Sequence, residues 1–237
     1  MQETMITVSG IEIKILRKKI KNMHLGVYPP NGHVRVSVPK HVSDDHVRLA
    51  IVSKLSWIKK KQQVFKDQPR QSERTYVSGE CHYFLGQRYR LELIERAGKA
   101  EVTRLKSGKL KMFVKASASI ASKEKLLNAW YRAELKYLIP ILLDKWQPII
   151  GKYADEWGIK KMKTKWGSCN IDQRRIWLNL ELVKKPPECL EYVVVHELVH
   201  LHERYHNAHF KALMTQFVPN WKSRQKTLNQ STLAHED

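Results

Sequence analysis

Apolar and polar residues alternate from Met5 to Ile15, and again from His33 to Pro39 after the turn at 29–32. A period of two puts successive side chains on opposite faces, so both stretches predict strands of a half-buried sheet. Ser43, Asp44 and Asp45 then open a helix carrying Val47, Leu49, Ile51, Val52, Leu55, Trp57 and Ile58, which runs into Lys59, Lys60 and Lys61. Acids at its start and bases at its end suit the helix dipole. Strand patterning resumes over 79–95 and 102–114, with a turn at 106–109, so the first part is mainly β with one helix. The small residues Ala116, Ser117, Ala118 and Ser119 mark a boundary, predicting a β-rich N-terminal domain over 1–115 and a second domain over 116–237. From Lys123 to about Trp157 the pattern is helical, with Pro140 and Pro148 kinking or dividing it. The stretch 166–182 predicts strands around a loop at 170–175. The fold class is α+β.

The run from Leu190 to Leu201 departs from both periods, because it is apolar almost throughout and yet contains His196, Glu197 and His200. Its valines favour a strand by propensity. A strand, however, would hold the two imidazoles roughly 13 Å apart, whereas a helix sets them on one face about one turn from each other. Polar groups in such a segment are costly without partners, and two imidazoles at this spacing can share one metal ion. Glu197 points to the neighbouring face, where a carboxylate reaches a water beside the ion without becoming a ligand. A pair of core histidines bonded to backbone groups is the alternative.

Such a site needs a third ligand. Beyond Glu203 the only acids are Glu236 and Asp237, at the chain end, which leaves His202, His206, His209 and His235. His202 lies about 200° round the helix from His200 and faces away. His206 comes far enough after His200 for the helix to end near residues 203–205 and return a third imidazole, and His209 is the other candidate. The His200-to-His206 spacing matches H-E-x-x-H-x-x-G-x-x-H enzymes, but Glu203 stands where those have Gly. The turn is therefore built differently, and the chain is not placed with the metzincins.

Trp166-Gly167-Ser168-Cys169, Trp177-Leu178-Asn179-Leu180, Pro186-Pro187, and Tyr192 to Leu201 followed by His206-Asn207 and Phe210 together resemble the YgjP-like metal-dependent hydrolases. These are similar in turn to the SprT-like zinc peptidases, and the resemblance runs over most of the chain. It implies a helical, zincin-like metallopeptidase domain with a short β-ribbon beside the site. It also implies Zn2+ as cofactor, His196, His200 and His206 as its ligands, and Glu197 as general base. Lys211 after Phe210, and Leu180-Glu181 after Asn179, depart from the family's common residues and bear on specificity rather than on metal binding. A strand beside the metal would pair with an extended substrate, with Asn179 holding that substrate. Trp166 and Trp177 read as core fillers.

Composition narrows the setting. With 237 residues, 42% of them hydrophobic, the chain can bury a substantial core. No apolar run approaches the roughly 18 residues of a membrane span, and the first residues do not begin a signal peptide, so the expected location is the cytoplasm. Cys81, Cys169 and Cys189 are odd in number and widely spaced, which reads as reduced and structural. Forty-three Lys and Arg against 23 Asp and Glu give a net charge of +20, favouring polyanionic partners, nucleic acid among them. The leading expectation is a zinc-dependent, metallopeptidase-like hydrolase acting on proteins, including those associated with nucleic acid. A nucleoside triphosphate pyrophosphatase is the alternative, since the charge attracts polyphosphates. A basic binding protein with a structural zinc comes third, because a structural site would be closed by four protein ligands.

Overall fold

The alternating stretch at the start of the chain folds back at Ser9 and Gly10, both left-handed (φ 50° and 76°), a turn whose twist matches that of paired strands. The structure, a computed structural model, describes residues 2–28, 31–67 and 74–230. Its contacts divide the chain into two units, one within 1–71 and one within 72–233. In the first, β1 (Gln2–Val8), β2 (Ile11–Lys18), β3 (His24–Tyr28) and β4 (His33–Pro39) lie in the order β1-β2-β4-β3. β2 and β4 are parallel, and the outer pairs are antiparallel. Ile13, Ile15, Val34, Val36 and Val38 pack on Val47, Ile51 and Ile58.

Those last three residues come from two helices, α1 (Asp44–Val52) and α2 (Leu55–Asp67), where the sequence predicted one. Ser53 ends the first: its hydroxyl donates to the Ala50 carbonyl at 2.8 Å, and Lys54 N tightens onto Ile51 O at 2.9 Å. Local bonds of this kind compete with the helical ladder, while the apolar positions continue on either side.

The second unit begins by repeating the first. β5 (Cys81–Phe84), β6 (Gln87–Glu95), β7 (Glu101–Arg104) and β8 (Lys109–Val114) take the order β5-β6-β8-β7, again with a central parallel pair. Leu85 and Gly86 make the same left-handed turn (φ 48° and 79°). Gly10 and Gly86, Gly32 and Gly108, and the helix-capping Ser43 and Ser119 are each 76 residues apart. The parallel registers, Ile13 on Val34 and Leu91 on Leu110, differ by an even slip, which leaves each side chain on its face.

Leu91, Leu110 and Met112 of this second sheet share one core with Leu135, Ile139, Val194 and Leu198. The expected boundary at 115/116 therefore falls inside the second unit. The small residues expected to mark that boundary form the entry to a helix, with Ser119 Oγ accepting from Ser122 N at 3.2 Å. That helix, α3 (Ile120–Ile150), is continuous through Pro140 and Pro148 and closes at the left-handed Gly151. Leu127, Tyr131, Leu135, Ile139, Leu143, Trp146 and Ile150 are buried along it at steps of three or four. Packing of that stripe outweighs the ladder bonds that the prolines remove. Trp157, expected at the helix end, instead lies in β9 (Glu156–Lys160). β9 runs parallel to β11 (Arg175–Asn179), which pairs antiparallel with β10 (Gly167–Asn170). The order β10-β11-β9 leaves β10 at an edge. A 3-10 turn (Leu180–Lys184), α4 (Pro187–Val199), α5 (Ala208–Phe217) and α6 (Trp221–Gln230) complete the unit. Among the described residues no helix is long and apolar enough to cross a membrane.

α4 is held at its start and on its flank. Leu85 N donates to Val183 O at 2.7 Å, and Gly86 N to Lys184 O at 3.3 Å, so the β5–β6 turn grips the chain just before the helix. On the flank, Glu191 accepts from Lys145 Nζ (2.7 Å), Trp146 Nε1 (3.0 Å) and Arg224 Nη1 (2.7 Å), joining α4 to α3 and α6. Glu191→Ala is expected to lower stability by roughly 2–3 kcal/mol, the scale of hydrogen bonds to a charged group. Urea denaturation followed by tryptophan fluorescence measures this, and an unchanged midpoint would show that the clamp adds nothing.

Candidate metal centre

Burial decides the conformation of the valine-rich run. Leu190, Val193, Val194, Val195, Leu198 and Val199 are all buried in α4, and this packing overrides their strand propensity. His200 sits at the helix C-cap with helical backbone (φ −61°, ψ −20°), its N–H donating to His196 O at 3.3 Å. The helical spacing of the two imidazoles is thereby kept to the last residue, and their ring centroids are 4.9 Å apart.

The chain then reverses within six residues. Leu201 N bonds Leu198 O (3.0 Å), His202 N bonds Val199 O (2.9 Å) and Glu203 N bonds Val199 O (3.1 Å). Among the described residues the left-handed non-glycine positions are Ser9, Tyr76, Leu85 and Arg174, so Glu203 turns the chain without the conformation that a glycine would supply. Asn207 caps α5, accepting from Phe210 N at 2.9 Å, and this fixes where His206 emerges. His206 Nε2 comes to 3.0 Å from His196 Nε2. The ligand atoms of His196, His200 and His206 all lie within 4.8 Å of one another. Phe210, 2% exposed, forms the floor, its ring centroid 4.9, 4.7 and 4.8 Å from those of the three histidines.

The electrostatics suit a cation. Burial, and then the neighbouring His200 and His206, push His196 down to about 3, and burial also lowers His200. Neutral imidazoles are the form that binds metal. His200 Nδ1 donates to the Glu203 carbonyl at 3.0 Å, which leaves its Nε2 lone pair for a ligand. Two Nε2 atoms at 3.0 Å are close to the roughly 3.3 Å expected of nitrogens sharing a tetrahedral ion. Glu197 is buried beside them, and burial raises its carboxyl to about 8, opposed by the charge of Lys165.

A cleft of about 950 Å³ opens over this cluster, between β10 on one side and α6 on the other, with Lys165 and Arg204 among its lining residues. Gly167 of β10 lies against the Glu197 carboxylate. Cys169, two residues on, also lines the cleft; burial and the charge of Glu197 push its thiol up to about 12, so it stays protonated. His202 Nε2 donates to Ile150 O at 2.8 Å, and His209 is exposed on the first turn of α5, outside the cluster.

Asn179 corrects its expected role. It is 0% exposed, and its amide donates to Met162 O (2.8 Å) and Lys165 O (2.7 Å) while accepting from Met162 N (3.3 Å) and Glu181 N (3.1 Å). With its bonding capacity used inside the chain, it holds the 162–165 turn that leads into β10 and does not meet substrate. Trp177 lies over Gly158, with Lys160 Nζ 3.6 Å above its ring, on the strand face opposite the buried Ile176 and Leu178. Gly167 was named in the sequence only as part of the Trp166-Gly167-Ser168-Cys169 stretch, and its contact with Glu197 was not foreseen.

Comparison with known proteins adds a family. No curated protein matches the chain. Among solved structures it is similar to the zymogen of the metallopeptidase abylysin from Pyrococcus abyssi, at 19% identity and a TM-score of 0.38, over 42% of this chain and 99% of that one. It is also similar to the zymogen of jannalysin from Methanocaldococcus jannaschii, at 20% identity and a TM-score of 0.35, over 39% and 94%. Residues 21–231 match the YgjP-like metallopeptidase domain. That match takes in both units and all three clustered histidines: the chain belongs to the YgjP-like metallopeptidase family and is a metal-dependent hydrolase.

Proposed function

We propose that this protein is a zinc peptidase in which His196, His200 and His206 hold the ion and Glu197 is the general base. The observation that carries the reading is the convergence of three imidazoles, two of them with Nε2 atoms 3.0 Å apart, beside a buried carboxylate at the base of an open cleft. The three imidazoles of His196, His200 and His206 would suit zinc. Bound there, zinc supplies a Lewis acid that brings the pKa of a water towards about 7 and polarises a carbonyl.

The chain's own groups do the rest. Glu197 takes the proton of the attacking water on a carboxylate oxygen and returns it to the leaving nitrogen. Phe210 packs beneath all three imidazoles and keeps them from rotating away. The free edge of β10 offers main-chain N–H and C=O groups to a peptide running alongside it, which delivers a scissile carbonyl next to Glu197. Lys165 and Arg204 at the cleft, with the net charge of +20, support acidic proteins and proteins carried on nucleic acid as substrates.

Two outcomes test the assignment on zinc-loaded protein, with labelled casein and a nucleoside triphosphate assayed in parallel. Glu197→Gln is expected to keep its zinc and lose peptide hydrolysis by at least about a hundredfold, the lower range of acid–base contributions. Full activity in that variant, or hydrolysis of the triphosphate alone in the wild type, would overturn the reading. His206→Ala is expected to lose zinc by metal analysis while His209→Ala keeps it, and the reverse pattern would show the third ligand to be His209.

A further inference from the structure

Gly167 is a glycine whose backbone does not require one. It lies in β10, paired with Leu178, and the left-handed glycines of the described chain are Gly10, Gly32, Gly79, Gly86, Gly98, Gly108 and Gly151. An ordinary strand conformation accepts any residue, and a glycine there weakens the strand unless something must approach the backbone closely. At Gly167 the approaching group is Glu197. A Cβ on residue 167 would stand 2.9 Å from both Cγ and Cδ of that side chain, and closer still to Oε1, where ordinary contact begins at 3.4 Å.

Glu197 has little else to fix it. It is 4% exposed, and among the described residues its carboxyl has no hydrogen bond, only the charge of Lys165 acting against its burial. A buried carboxylate without a hydrogen bond takes its direction from the surfaces it lies against. The surface here is the main chain of β10, which is itself fastened along its length to β11 from Gly167–Leu178 to Asn170–Arg175.

We infer that Gly167 is the positioning residue for Glu197: by having no side chain it lets the carboxylate lie flat on the edge strand, beside both the histidine cluster and the path of the substrate. The inference rests on Glu197 being the base. A methyl group at residue 167 forces the carboxylate aside by half an ångström at its carbons and more at Oε1, because turning a side chain is easier than parting β10 from β11. A displacement near 1 Å costs a reaction on the order of a hundredfold.

The test is a double-mutant cycle in the full chain, using Gly167→Ala, Glu197→Ala and the two combined. Urea midpoints and zinc content are read with and without EDTA, and casein hydrolysis is read on the zinc-loaded forms. Gly167→Ala is expected to keep its zinc, lose about a hundredfold in kcat with little change in KM, and lower the urea midpoint. In the Glu197→Ala background the same substitution is expected to lower the midpoint by less than half as much, since the clashing carboxylate is gone. An equal midpoint shift in both backgrounds, or an unchanged kcat, would overturn the inference. The midpoint cycle needs no activity, so it decides the contact on its own. A Glu197→Gln variant that stays active would sink the base assignment and leave the contact standing.

Discussion

Placing His196, Glu197 and His200 among Tyr192, Val193, Val194, Val195, Leu198 and Val199, all of them core, creates the constraint around which the second unit is arranged. Taking two imidazoles and a carboxylate out of water is unfavourable by several kcal/mol unless each finds a partner. The surroundings answer the three groups differently. The imidazoles are kept neutral and turned towards one point. His200 is oriented through the Glu203 carbonyl, and His206 is brought back by a turn whose far end is fixed by the Asn207 cap. Among the described residues the carboxylate has no such partner, and it lies against Gly167, where the strand has no side chain. A cation held by the clustered imidazole nitrogens would lower the cost of the charge beside them.

The rest of the unit keeps this helix still. The β5–β6 turn holds its start, and Glu191 fastens its flank to α3 and α6. Asn179 secures the turn that carries the chain into β10. Leu182 and Val183, between Asn179 and α4, are buried in the same core, so the site's two walls are joined through packed residues rather than through loops. Such support suits a reaction in which positions must be kept to a fraction of an ångström.

How much of this could be read from the sequence depended on how local each feature is. Residues four apart share a helical face whatever surrounds them, so the pairing of His196 with His200 was legible at once. His206 was legible as a candidate because so few ligand types follow Glu203; the Asn207 cap that helps separate it from His209 is local, while the packing of Phe210 is tertiary. Asn179 was misread because a polar residue near a presumed substrate strand suggests contact with substrate, and nothing in the string shows that four main-chain groups surround it. The break after Val52 was hidden by apolar positions that continue past it. The repeat of the four-stranded arrangement was harder still: Leu85 is a poor signal for a hairpin turn, and only the matched spacing of Gly10 to Gly32 and Gly86 to Gly108 could have shown it. Gly167 was legible only as part of the Trp166-Gly167-Ser168-Cys169 stretch, since its place against Glu197 depends on the carboxylate that occupies the space where its side chain would be.

X-ray absorption at the zinc edge of the purified, zinc-loaded protein tests the central claim most directly. The account predicts three imidazole nitrogens at about 2.0–2.1 Å with one further light-atom ligand, and loss of one imidazole contribution or of the ion itself in His206→Ala. Scattering from sulfur at about 2.3 Å, which would bring Cys169 into the coordination sphere, or a shell unchanged by His206→Ala, would contradict it.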